Sequence, residues 1–139
     1  MTSNQRILIV DDQPDILEMT ALVLSGAGYE VRTTSSGAQA LDHLATQPCD
    51  LVLLDINMPG MDGWETLRLI RTDDSLVGLP VVIFSVKSEF RDKVIGMQEG
   101  AVDYITKPFE VDQLLFRVRR VLDSRRGGEP RLAAPQPVV

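Results

Sequence analysis

Four short runs in this sequence each end in a residue able to do chemistry. Asp11-Asp12 follows Ile7-Leu8-Ile9-Val10, Asp55 follows Leu51-Val52-Leu53-Leu54, Ser85 follows Val81-Val82-Ile83-Phe84, and Lys107 follows Tyr104-Ile105-Thr106. Three carboxylates brought together without a partner repel one another and raise at least one pKa. A hard divalent cation relieves that repulsion, and Mg²⁺ favours carboxylates together with water and phosphate oxygen. A lysine ammonium and a serine hydroxyl beside the carboxylates would complete a seat for a tetrahedral oxyanion. A carboxylate at the centre of such a seat can act as a nucleophile and form an aspartyl-phosphate. All of this requires the four run ends to meet in space.

The elements around them make that meeting plausible on topological grounds. Runs such as 51–54, apolar without alternation, read as strands buried on both faces of a parallel sheet. Pro14 suits a first helical turn. Apolar residues at Ile16, Met19, Leu22 and Val23 predict a helix stopped by Gly26 and Gly28. Residues 29–34 alternate like an edge strand. Ser35-Ser36-Gly37 offers a cap for a helix carrying Ala38, Leu41, Leu44 and Ala45. A Pro59-Gly60 turn follows the central strand, and a helix begins at Asp62, burying Trp64, Leu67 and Ile70. Ser88 is the expected cap of a fourth helix with Phe90, Val94 and Met97 inward and Gly100 as its stop. The last helix is expected to bury Val111, Leu114, Leu115, Val118, Val121 and Leu122.

Five strands alternating with five helices imply an α/β fold, a five-stranded parallel sheet with helices on both faces. In such sheets a site lies beyond the carboxyl ends of the strands, where strand order reverses. For the order 2-1-3-4-5 that crevice falls between strands one and three, which end in Asp11-Asp12 and Asp55. Ser85 and Lys107 end strands four and five on the same rim.

The totals narrow the function. A formal net charge of −6 argues against nucleic acid as the direct partner. One cysteine, Cys49, rules out an internal disulfide and suits a reducing, cytoplasmic setting; it reads as a packing residue. No apolar run approaches the roughly 20 residues that span a bilayer, and MTSNQR lacks the apolar core of a signal peptide. No G-x-G-x-x-G or P-loop follows the first strand, which speaks against nucleotide binding. His43 has no second ligand in view for a metal. Residues 1–124 therefore read as one domain. Residues 125–139, rich in Pro, Gly and Arg, read as a flexible tail or linker.

The motifs Ile9-Val10-Asp11-Asp12, Asp55-Ile56-Asn57-Met58-Pro59-Gly60-Met61-Asp62-Gly63, Ser85, and Gly100-Ala101 leading to Tyr104-Ile105-Thr106-Lys107-Pro108-Phe109 resemble the receiver domain of two-component response regulators, over about residues 5–124. The resemblance implies a three-layer (βα)5, flavodoxin-like fold. It implies that Asp55 accepts a phosphoryl group from a sensor histidine kinase or phosphotransfer protein. Mg²⁺ would be held by Asp12, Asp55 and the Asn57 carbonyl, with Asp11 helping through water. Lys107 would pair with Asp55 and then with the phosphoryl group, Ser85 would swing toward a phosphoryl oxygen, and Tyr104 would turn inward. The Lys107-Pro108 bond would be cis. The surface of the fourth helix, fifth strand and fifth helix would serve a downstream effector or output domain. Lys93, Asp103 and Arg117 match charges used for homodimerisation in the winged-helix branch of the family, whereas Val102 and Gln113 replace others.

One departure from the family's usual pattern is Val86, where a small residue commonly follows the switch hydroxyl. It would narrow access to the phosphoryl site, and Lys87 stands at a position that with Asn57 tunes loss of the phosphoryl group. Two other functions compete. A Mg²⁺-dependent phosphohydrolase of the haloacid dehalogenase type wants an aspartate two residues beyond the nucleophile, where this chain has Asn57. A phosphorylation-independent scaffold usually lacks one of the acids or the lysine, and all are present here. Trp64, near the acidic rim, is packing or cover and a natural fluorescent reporter of Mg²⁺.

Overall fold

A computed structural model describes residues 4–58, 60–87 and 89–126. Its elements run β1 (Arg6–Val10), α1 (Pro14–Gly26), β2 (Glu30–Thr34), α2 (Gly37–Thr46), β3 (Leu51–Leu54), α3 (Gly63–Thr72), a 3-10 turn (Asp74–Leu76), β4 (Val81–Ser85), α4 (Phe90–Gln98), β5 (Asp103–Thr106) and α5 (Val111–Arg126). All strand pairs are parallel and the order is β2-β1-β3-β4-β5, as expected.

The unbroken apolar strands follow from a core divided by the sheet. Successive side chains point to opposite faces. Leu8 and Val10 thus join Val52, Leu54 and Ile83 beneath α2 and α3, with Ala40, Leu44, Leu67 and Ile70. Ile7 and Ile9 join Leu51, Leu53, Val82 and Phe84 on the other side, with Leu24, Leu114, Val118 and Leu122. The edge strand β2 keeps no fully buried residue, which is why its sequence alternates.

Several expected helix faces are corrected. In α1 the buried residues are Thr20 and Leu24, whereas Met19 and Leu22 are exposed, Leu22 at 68%. Leu17, Thr20, Ala21 and Leu24 form the true inward stripe at spacings of three and four, and the helix has more apolar residues than that stripe holds. In α4, Phe90 is 80% exposed and Met97 is also outward; Val94 is half-buried. The one buried position in α4 is Gly96. A Cβ there would stand 2.6 Å from Ile83 Cδ1 and 3.3 Å from the Tyr104 ring, so the helix lies against the sheet through its backbone. In α5 Val111 is exposed at the first turn and Leu115 and Val121 are half-buried. In α3 Trp64 is half-buried, and Thr66 takes a buried place instead.

The caps match residue chemistry. The Ser36 hydroxyl accepts from the Gln39 N–H, and the Asp62 carboxylate accepts from the Glu65 N–H. Gly28 and Gly100 take φ of 102° and 106° after α1 and α4. The expected turn at Pro59, the expected cap at Ser88 and residues 127–139 of the tail lie outside the described residues. α5 continues to Arg126, and Arg125 donates to the Asp50 carbonyl at 2.7 Å.

Gly63 fixes how closely α3 approaches the end of β3. A Cβ there would stand 2.3 Å from the Asp55 carbonyl oxygen and 2.4 Å from Ile56 Cα, whereas one at Gly26 meets nothing within 4 Å. Gly63→Ala should therefore destabilise the protein by about 2–3 kcal/mol through overpacking against backbone. Gly26→Ala should be neutral or stabilising by up to about 1 kcal/mol. Urea denaturation of the two variants checks both; equal midpoints would refute the close-approach reading.

Candidate functional site

The carboxyl ends of the strands bring together the residues that the sequence singled out. Asp11 follows β1 and its N–H donates to the Thr34 carbonyl at 3.2 Å. Asp55 follows β3 and its N–H donates to the Val10 carbonyl at 2.9 Å, so the β1–β3 pairing carries the two acids side by side. Asp12 continues from Asp11 and is half-buried, giving the cluster its opening to solvent. One carboxylate oxygen from each of Asp11, Asp12 and Asp55 lies within 4.8 Å of the others.

Lys107 comes in from β5. Its backbone N–H donates to the Ser85 carbonyl at 2.8 Å, and the Lys107-Pro108 peptide is cis. Lys107 as a whole is 8% exposed. Its nitrogen is 2.5 Å from Asp11 Oδ2 and 3.8 Å from Asp55 Oδ2, so its short contact is with Asp11. The other Asp11 oxygen accepts from the Gln13 N–H at 3.0 Å. Both Asp11 oxygens are thus engaged by donors, while Asp55 Oδ1 accepts from the Asn57 N–H at 3.1 Å and Oδ2 has only the distant ammonium. Of these two buried acids Asp55 has the freer oxygen.

Electrostatics single out the same residue. Burial, before anything else, raises the Asp55 pKa to about 6, with Asp11 and Asp12 adding to the rise. The Asn57 N–H and the Lys107 ammonium oppose it without cancelling it. A carboxylate kept uncomfortable in this way gains from any cation or electrophile that arrives. The donor set, three carboxylates of Asp11, Asp12 and Asp55 with one side open to water, fits a hard divalent cation such as Mg²⁺.

Ser85 is fully buried, its hydroxyl accepts from the Lys87 N–H at 3.1 Å, and it is hydrogen-bonded to the Tyr104 hydroxyl. Tyr104 is buried too, and its hydroxyl donates to the Lys87 carbonyl at 2.7 Å. Burial raises the Tyr104 pKa, with hydrogen bonding to Ser85 acting the other way. The ring that the family resemblance expects to turn inward is already inward here. Val86 and Lys87 are exposed beside the site.

Sequence reasoning missed Phe84, read only as a strand residue; the Lys107 ammonium sits over its ring, 4.7 Å from the centroid. No chemical signal marks a phenylalanine within a buried strand. Cys49 precedes β3, at the opposite end of the sheet, where its thiol donates to the Leu51 carbonyl at 3.2 Å and burial pushes its pKa up. His43 is half-buried on α2, in the neighbourhood of Arg6 and Cys49. Among the described residues no helix is long and apolar enough to cross a membrane.

Residues 7–119 match the family described as the response regulator receiver domain. The chain is 42% identical over 129 residues to the DNA-binding response regulator MtrA of Mycolicibacterium smegmatis, covering 93% of this chain and 55% of that protein. It is 42% identical over 116 residues to the transcriptional regulatory protein YkoG of Bacillus subtilis, covering 84% and 50%. The chain thus spans about half the length of the curated relatives it matches. Among solved structures, chemotaxis protein CheY4 of Vibrio cholerae superposes with a TM-score of 0.81 at 31% identity, covering 86% of this chain and 99% of that one. A CheY-like receiver domain from Methanospirillum hungatei JF-1 gives 0.84 at 30% identity, covering 91% and 100%. Motifs, strand order and relatives agree: the chain belongs to the response regulator receiver family, a family of signalling modules.

Proposed function

We propose that this domain is a phosphorylation-controlled switch in which Asp55 accepts a phosphoryl group from a phosphohistidine on a sensor histidine kinase or phosphotransfer protein. The observation that carries this reading is the crowding of Asp11, Asp12 and Asp55 within 4.8 Å around one buried ammonium. Asp55 Oδ2 attacks phosphorus, the P–N bond breaks, and the histidine nitrogen leaves with the bonding pair. Mg²⁺, held by Asp12, Asp55 and Asn57 with Asp11 through water, would supply neutralisation of the phosphoryl oxygens. Lys107 turns its ammonium from Asp11 to the new phosphoryl oxygen. Ser85 turns its hydroxyl proton from Tyr104 to another phosphoryl oxygen, and the Tyr104 ring, already inward, shifts against α4. The α4-β5-α5 face then reads out the change.

On that face Asp103 is paired within the chain, 2.7 Å from Arg117 and 3.5 Å from Arg120. A homodimer through it would have to exchange or extend these pairs. The partners of this reading are the phosphohistidine donor and an effector or output domain, with no direct nucleic-acid contact by this domain. The curated relatives include DNA-binding regulators. In a longer chain of that kind the receiver, expected to end at residue 124, would run with α5 to Arg126 and the linker would follow, all of it cytoplasmic. The phosphohydrolase alternative is disfavoured because Asn57 cannot protonate a leaving group as an aspartic acid would.

Incubation with acetyl phosphate and Mg²⁺, followed by intact mass, should show one labile phosphoryl adduct that Asp55→Ala abolishes. Steady phosphate release without an adduct would favour hydrolysis, and no reaction at all would sink the switch.

The raised Asp55 pKa fixes a sign for stability. Between the ordinary value of 3.8 and about 6 the folded state holds a proton that the unfolded state has lost. Stability therefore falls as pH rises through that window and stays lowered above it. Asp55→Asn should raise stability by about 1–3 kcal/mol at pH ~7.5 in Mg²⁺-free buffer, with the gain fading below pH ~4. Thermal melts across pH check this; a pH-independent difference would contradict it.

Val86 follows the buried Ser85 and is 62% exposed. Val86→Ala should speed acetyl phosphate labelling and hydrolysis by roughly 2–10-fold, given that positioning at a site controls rate by such factors. Unchanged rates would remove Val86 as a gate.

A further inference from the structure

We infer that Phe84 is a positioning residue for Lys107, its ring face holding the ammonium in place for phosphoryl capture; this rests on the function proposed above. The strand register makes the contact unavoidable. Phe84 of β4 is paired with Ile105 of β5, and the period of two carries Lys107 to the same side of the sheet one step further on. The Lys107 N–H bonded to the Ser85 carbonyl keeps that alignment past the end of β5. The Phe84 ring is fully buried, with the Phe109 ring tilted against it at 5.5 Å between centroids.

An ammonium has three donors and, when buried, needs something in place of water. Asp11 takes one donor at 2.5 Å, and Asp55 at 3.8 Å is too far to take a second. The ring lies against the remaining flank at 4.7 Å. Its negative face attracts the cation without offering a lone pair. The lysine is thereby held near Asp55 while keeping donors unspent for the oxygens of an incoming phosphoryl group. A leucine at position 84 would fill much of the volume and supply no such face. The ammonium would then settle more fully on Asp11, away from the acceptor.

The test replaces Phe84 site-specifically with 4-fluoro-, 3,5-difluoro- and 3,4,5-trifluorophenylalanine, which weaken the ring's negative face with little change of shape. With acetyl phosphate and Mg²⁺, the rate of Asp55 labelling should fall stepwise through the series, by roughly tenfold in all for a desolvated pair. Phe84→Leu should be at least as slow as the trifluoro protein. A second readout uses the Mg²⁺-free protein without phosphate: the Lys107 ε-methylene protons should be shifted upfield by the ring in NMR spectra and return to ordinary positions in Phe84→Leu. A flat fluorine series overturns the inference, as does an unshifted ε-methylene. A wild-type protein that takes no label overturns the function reading and the role with it, while the NMR shift still decides whether the contact exists.

Discussion

Electrostatic crowding organises this molecule. Asp11 and Asp55 are almost entirely removed from water, Asp12 stands beside them, and a single ammonium serves the group. Coulombic repulsion at such distances is tolerable only where a cation is close or a proton is retained. The protein does both: Lys107 settles Asp11, and Asp55 is left with its proton held more tightly than usual. The imbalance gives the two acids different work. Asp11 anchors the lysine, and Asp55 is the one whose chemistry is unfinished.

The sheet exists in the form needed to maintain that imbalance. Two apolar layers bury every residue of β3 and β4, so the loops at their carboxyl ends leave a rigid floor. Gly63 lets α3 press against the Asp55 backbone, and the Asp62 cap holds the start of that helix. The end of β4 and the residues just after it contribute in three ways. Phe84 faces the lysine, Ser85 presents a hydroxyl, and the backbone of Lys87 receives Tyr104. Rigid strands deliver the chemical groups, and the connection after β4 joins them to the outer face.

Much of this was legible in the chain. Strands buried on both faces announce themselves as unbroken apolar runs, and a parallel sheet must put their carboxyl ends on one rim, so Asp11, Asp12, Asp55, Ser85 and Lys107 could be placed together. Helix faces were less legible, for different reasons in each case. α1 carries more apolar residues than its contact stripe, so Met19 and Leu22 were wrongly placed inward. α4 touches the sheet through Gly96, and hydrophobic patterning assigns no weight to a residue without a side chain. Pairing preferences within the site were also hidden: that Lys107 sits on Asp11 rather than Asp55 depends on differences of about an ångström.

The manner in which α4 is attached has a mechanical meaning. A helix whose sole buried residue is a glycine adds little adhesive area to the core, so its amides belong among the first to exchange with solvent when the native state breathes. Tyr104 lies directly under that glycine. A rearrangement of one aromatic ring can therefore be relayed as displacement of the loosest shell element, leaving the barely compressible centre of the molecule untouched.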